Sequence, residues 1–186
     1  MSLNTNLNFD LKTLIALFIL IASVQGCKEN PAPEESATMP SQREVNRSME
    51  EIVRKMSQEE DAVIEKYIAE QGWGVTKTGT GLRYFVYEEG LEGPLTVDGQ
   101  IATLKYIVSL IDGTVVYSSE EDGVRAFMVG HDNVESGIHE AILFLKVGDK
   151  AKLVLPSHLA HGLTGDNDKI PPRSTVIYDV ELLGLR

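Results

Sequence analysis

The residues best suited to acid–base or metal chemistry crowd into one third of the chain. All four histidines, His131, His139, His158 and His161, lie there. His158 and His161 are three apart, a spacing at which two imidazoles can share a metal ion. The only cysteine, Cys27, is far away in sequence, and no third ligand accompanies the pair, so no metal site is expected. Asp166 and Asp168 sit among Gly162, Gly165 and Asn167 and read as loop-shaping rather than calcium-binding. There is no nucleophile elbow, phosphate loop or hydrolase triad, and no cofactor is implied. Tyr106 and Tyr178 read equally as core aromatics or as pocket walls.

A binding place is marked by elements rather than by a reactive group. Ala151, Leu153 and Leu155 alternate with Lys150, Lys152 and Val154. Val176, Tyr178, Val180 and Leu182 alternate with Ile177, Asp179, Glu181 and Leu183. Period-two runs of this kind predict strands with one face on a core. The loop between them is rich in turn residues and ends in Pro171-Pro172. A long loop held by two strands of one sheet is a good place for a site. Upstream, Leu82 to Tyr87, Ile101 to Ile111, Val115 to Ser118 and Phe127 to Val129 predict further strands, with Asp112-Gly113 as a hairpin turn. Val134, Ile138, Ala141, Ile142 and Leu145 fall on one face of a single predicted helix. Together they predict an α+β fold, a mostly antiparallel sheet with one helix laid across it.

The ordered set of motifs resembles the FKBP-type peptidyl-prolyl cis–trans isomerase family over about residues 75–186. It is carried by Gly99-Gln100, Tyr106, Asp112-Gly113, Ser118-Ser119, Phe127-Met128-Val129-Gly130, Val147-Gly148, Ala160-His161-Gly162, Ile170-Pro171-Pro172 and Asp179 to Leu183. The resemblance implies a curved antiparallel sheet wrapped on one central helix, and a pocket that binds proline-containing protein segments. Such a pocket needs no nucleophile. It favours a twisted amide, which is less polar than the planar one. By position, the resemblance assigns Tyr106, Tyr117, His161 and Tyr178 to catalysis, and Val116, Phe127, Val134, Glu135, Ile138 and Ile170 to substrate binding.

Several of these positions depart from the family. The F-D-S-S motif becomes Val116-Tyr117-Ser118-Ser119, so its aspartate is a tyrosine. Arg125 stands where phenylalanine is common, Ile138 where tryptophan forms the pocket floor, and His161 where a tyrosine hydroxyl bonds the ligand. Glu135 replaces an isoleucine whose backbone N–H pairs with the peptide, and keeps that N–H. A wider, wetter pocket follows, with Tyr117 and His161 as substitute donors.

The N-terminal part reads as a tether. Residues 14–22 are an unbroken apolar run too short to span a bilayer, and Val24-Gln25-Gly26-Cys27 follows it. Residues 1–26 are therefore expected to be a lipoprotein signal, with Cys27 acylated and inserted in the lipid bilayer. Residues 27–41, rich in proline, glutamate and serine, are a linker. Residues 42–72 are a helical segment with a restart near Ser57, where Ser57 and Glu60 have capping-box spacing. Glu59-Glu60-Asp61 are expected on its surface. This helix either pairs two copies, as in other secreted FKBP-type proteins, or packs on its own domain; residues 73–186 form the isomerase-like domain. The net charge of −11 argues against nucleic acid as a partner. The whole pattern resembles the gliding-motility-associated lipoproteins of the family and implies the cell envelope of a Gram-negative bacterium, on the periplasmic or surface face of the outer membrane.

Overall fold

The computed structural model describes residues 39, 41–90 and 92–186. The expected signal segment, Cys27 and nearly all of the expected linker lie outside them. No helix among the described residues is long and apolar enough to cross a membrane.

Helix α1 spans Gln42–Gln71 without interruption. It holds no glycine or proline, and its Glu, Lys, Arg, Gln, Met and Ala residues favour the helix. The i,i+4 pairs Arg47–Glu51, Lys55–Glu59 and Lys66–Glu70 add a few tenths of a kcal/mol each, roughly. Gly72, at φ +70°, ends it. Its N–H bonds the Ala69 carbonyl at 3.2 Å and the Trp73 N–H bonds that of Ile68 at 3.3 Å, the two bonds of a Schellman stop. The expected restart near Ser57 does not occur. Glu60 cannot cap that turn, because its carboxylate leaves the helix altogether. It accepts from the Ser157 N–H at 2.7 Å, the Ser157 hydroxyl at 2.9 Å and the Thr175 hydroxyl at 2.7 Å.

Seven strands form one antiparallel sheet: β1 (Thr76–Lys77), β2 (Arg83–Glu88), β3 (Ile101–Leu110), β4 (Val115–Ser118), β5 (Arg125–Met128), β6 (Lys150–Leu155) and β7 (Val176–Leu185). The order is β1-β2-β6-β7-β3-β4, with β5 also on β3. Strand β3 thus serves two neighbours on one edge. Its Ile101–Leu104 pairs with β5, and its Ile107–Ser109 pairs with β4. Splitting that edge swings the β4–β5 connection, with the short α2 (Ser119–Asp122), around the end of the sheet.

One face of this curved sheet packs on helix α3, Ser136–Ile142, through Leu104, Val108, Leu153, Leu155 and Leu182 against Ile138, Ala141 and Ile142. Gly137 lets the helix approach: a Cβ there would come within 2.6 Å of the Leu155 side chain. The apolar run from Val134 to Leu145 is shorter as helix than its periodicity predicts. Val134 precedes α3, and Leu143, Phe144 and Leu145 follow it as tight turns bonded i→i−3. The opposite sheet face meets α1, where Ile64 and Ile68 close on Val154 and Ile177, rimmed by Tyr67, Trp73, Val75 and Ile111. Val154 and Ile177 are apolar residues on the otherwise polar sides of their strands, and they mark where the helix docks.

Candidate functional site

A cavity of about 640 Å³ opens beside α3, between β3, β4 and β5 on one side and the 160–168 segment on the other. Each wall has a local cause. The pleat of β3 sends Leu104, Tyr106 and Val108 to the same face, two residues apart. Strand β7 brings Tyr178 beside them, opposite Val108 in the pairing register. The turn before α3 supplies Val134 and Glu135, and its first turn supplies Ile138. Phe127 comes from β5, backed edge-on by His139 at 5.5 Å between ring centroids. His139 accepts the Gly130 N–H on Nδ1 at 2.8 Å and reaches the Asp132 carbonyl with Nε2 at 2.8 Å, pinning the turn behind Phe127.

Of the expected site residues, Tyr106, Tyr117, Phe127, Val134, Glu135, Ile138, His161 and Tyr178 line this one cavity. Val116 and Ile170 do not. Val116 is next to Tyr117 on β4, so the pleat turns it to the core, where it is buried. Ile170 is turned in beneath its loop, its N–H and carbonyl both bonded to Asp166. Asp166 also accepts the Asp168 N–H and the Tyr117 hydroxyl, so it shapes the loop and tethers β4 to it at once. Tyr117 therefore leans to the wall and leaves the hollow open; the Lys169 ammonium lies 4.9 Å from its ring centroid.

The feature that sequence reasoning missed is the side chain of Glu135. It is only 10 % exposed. Its Oε1 accepts from the Tyr178 hydroxyl at 2.8 Å and lies 3.1 Å from His161 Nε2. Its Oε2 is 3.9 Å from Arg125 Nη1, while Arg125 Nη2 donates to the Asn133 carbonyl at 3.2 Å. A carboxylate thus does enter the cavity, from the turn before α3 rather than from β4. Its only trace in the sequence is a charged residue between apolar Val134 and Ile138, just before the helix. His158 turns away from His161, with its Nε2 on the Thr80 carbonyl at 2.9 Å. The two histidines that were three apart in sequence therefore have separate partners.

These contacts set the protonation states. Burial, then the charge of Glu135 and the hydrogen bond to it, holds the Tyr178 phenol well above its ordinary value. The hydrogen bond to Asp166, helped by burial, pushes Tyr117 up to about 12. Burial raises Tyr106 too, with Asp122 adding to it. Burial acts to raise Asp166, but the hydrogen bonds from Tyr117 and the Asp168 and Ile170 N–H groups outweigh it and leave the carboxyl below its ordinary range. All three phenols are donors at neutral pH.

A cup of aromatic and branched side chains, with a few polar groups on one wall and no nucleophile, on a sheet wrapped round one helix, defines a class of prolyl isomerase. The chain belongs to the FKBP-type peptidyl-prolyl cis-trans isomerase family, whose profile matches residues 93–183. It is 34% identical over 169 residues to the FKBP-type 22 kDa peptidyl-prolyl cis-trans isomerase of Escherichia coli strain K12, covering 88% of this chain and 81% of that one. With FkpA of the same strain it shares 38% identity over 122 residues, 66% of this chain and 43% of that protein. The crystal structure of FkpA from Escherichia coli superposes with a TM-score of 0.57 at 28% identity, over 97% of this chain and 84% of that one, N-terminal helix included.

Proposed function

We propose that this cavity isomerises X-Pro bonds in exported proteins, and that the chain does so while anchored to a membrane of the cell envelope by acylated Cys27. The uncatalysed rotation faces a barrier of roughly 18–20 kcal/mol and takes tens of seconds. An apolar cup lowers it by accepting the twisted amide, which has lost resonance and polarity, more readily than the planar one. The observation that carries this reading is the convergence of Tyr106, Phe127, Val134, Ile138 and Tyr178 on one open hollow. The prolyl ring would enter over Ile138, and the Glu135 N–H would pair with the flanking peptide. A protease-coupled assay on proline-containing tetrapeptides tests it: rate acceleration that scales with enzyme concentration is expected, and background rates at every concentration would remove the enzymatic reading.

A second reading is favoured by one observation. Of the substitutes for the family's ligand-binding groups, Tyr117 donates to Asp166 and His161 Nε2 lies 3.1 Å from the Glu135 carboxylate. The domain would then hold a proline-containing segment of a partner and turn it over slowly or not at all. Peptide binding by calorimetry without rate acceleration would single out this case. The sequence pattern around Cys27 and the altered cup support a role in maturing envelope components for gliding motility or secretion. The apolar stripe on the first half of α1 supports self-association. Loss of lipid labelling in Cys27→Ser, with retained peptide activity, is the expected separation of anchor from site.

A further inference from the structure

Four ring side chains that can donate a hydrogen bond face the cavity: Tyr106, Tyr117, His161 and Tyr178. Two of them are already hydrogen-bonded to carboxylates, and the third lies against one. The Tyr117 hydroxyl donates to Asp166, with Asp168 at 3.4 Å. The Tyr178 hydroxyl donates to Glu135 at 2.8 Å, and His161 Nε2 faces the same oxygen at 3.1 Å. To turn to a peptide, Tyr117 and Tyr178 must first abandon a carboxylate, the stronger kind of acceptor, and His161 must leave its place beside one.

Tyr106 is different. Its ring is packed against the core, and its backbone is held by the Ser119 hydroxyl at 3.1 Å and by pairing opposite Val180. Its own hydroxyl has no hydrogen-bond partner among the described residues. No fully buried side-chain oxygen among the described residues lacks a partner, so this hydroxyl is not sealed in the core, and Tyr106 lines the cavity. A rigid ring thus presents an uncommitted donor, and nothing has to be broken before it can bind.

We propose that the Tyr106 hydroxyl, and neither Tyr117 nor His161, is the side-chain donor that holds a main-chain carbonyl of the bound segment. The carbonyl is one that flanks the rotating amide. A donor on the oxygen of that amide itself would favour the planar form, in which the oxygen carries more charge, and would slow rotation. A bond to a flanking carbonyl forms equally in the planar and twisted states, so it strengthens binding and leaves turnover alone. The assignment rests on the isomerase reading of the cavity.

The test is steady-state kinetics and calorimetric binding of one Leu-Pro tetrapeptide by the full chain and by Tyr106→Phe, Tyr117→Phe and His161→Gln. Tyr106→Phe should raise KM and Kd about three- to ten-fold, in the range one neutral hydrogen bond supplies, with kcat within about twofold. It should not lower the melting temperature, because it breaks no internal bond, whereas the other two variants should. KM of the wild type should be flat from about pH 6 to 8, since burial keeps Tyr106 protonated throughout. Unchanged KM in Tyr106→Phe on an active wild type overturns the assignment alone. So does a larger rise in His161→Gln, or a wild-type KM that falls between about pH 8 and 6. A wild type that neither binds nor turns over any proline peptide overturns the isomerase reading and this assignment with it.

Discussion

In the isomerase reading Glu135 serves the site twice, once through its backbone N–H and once through its carboxylate. At the sequence level only the N–H was legible, because resemblance places backbone groups well and says little about a replaced side chain. The structure adds that the carboxylate lies between Tyr178, His161 and Arg125, and this defines what removal does. Glu135→Ala leaves the deeply buried Tyr178 hydroxyl without its acceptor. An unsatisfied buried donor costs about 1–3 kcal/mol, so urea denaturation should show a lower midpoint by that amount. Tyr178→Phe in the same background should recover most of the loss, since it removes the orphaned hydroxyl. No recovery in the double variant would mean that Glu135 contributes through some other contact. Val116 and Ile170 illustrate the opposite limit. Resemblance placed them at the pocket, but strand pleat and loop geometry decide which way a side chain turns, and both turn inward.

At the scale of elements, the strands were legible because their faces meet unlike surroundings and so alternate. Helix α1 was misjudged at Ser57, Glu60 and Asp61, though not at exposed Glu59, because a charged residue reads as solvated until its partner is known. The partners of Glu60, Ser157 and Thr175, lie about a hundred residues on, out of reach of any local pattern. Glu60 bonds two buried hydroxyls and one N–H across the interface. Glu60→Ala should therefore destabilise the domain by about 2–4 kcal/mol in chemical denaturation, and Glu60→Gln by less, since the amide oxygen still accepts. Equal losses in the two variants would contradict the acceptor role.

Asp61 belongs to the same interface. The hydrogen bond from Lys77, with Arg83 adding to it, holds its carboxyl below the ordinary 3.8 despite opposing desolvation. A depressed folded pKa stabilises docking fully above the unfolded value, and that stabilisation is lost as pH falls below about 4 through the folded pKa. Trp73, the sole tryptophan, packs edge-on against Tyr67 at the end of α1 and reports the contact. Its emission should change between about pH 4 and 2 in the wild type. The change should be reduced in Asp61→Asn, and identical acid curves would exclude Asp61 as the titrating group.

On the scale of the whole molecule, α1 carries two apolar stripes, and the fold uses one. Ile64 and Ile68 are buried on the sheet, whereas Val45, Met49, Ile52 and Val53 stay exposed, as does Val63. Val45, Met49, Ile52, Met56 and Val63 are spaced four, three, four and seven apart, the period of a coiled-coil seam. The first half of α1 has no apolar cover among the described residues, and an isolated helix of about 15 residues is marginal in water. A second copy laid along the same stripe would supply the missing burial at no cost to the docked half. We expect light scattering to give twice the chain mass at micromolar concentration. Met49→Asp with Ile52→Asp should give the single-chain mass and lower helical content. Prolyl turnover on short peptides should survive, because Ile64, Ile68 and Glu60 still hold the second half of α1 to its own sheet. A wild type of single-chain mass, with α1 helical throughout, would show that the exposed stripe needs no second copy, and the self-association reading would fall while the cavity stands.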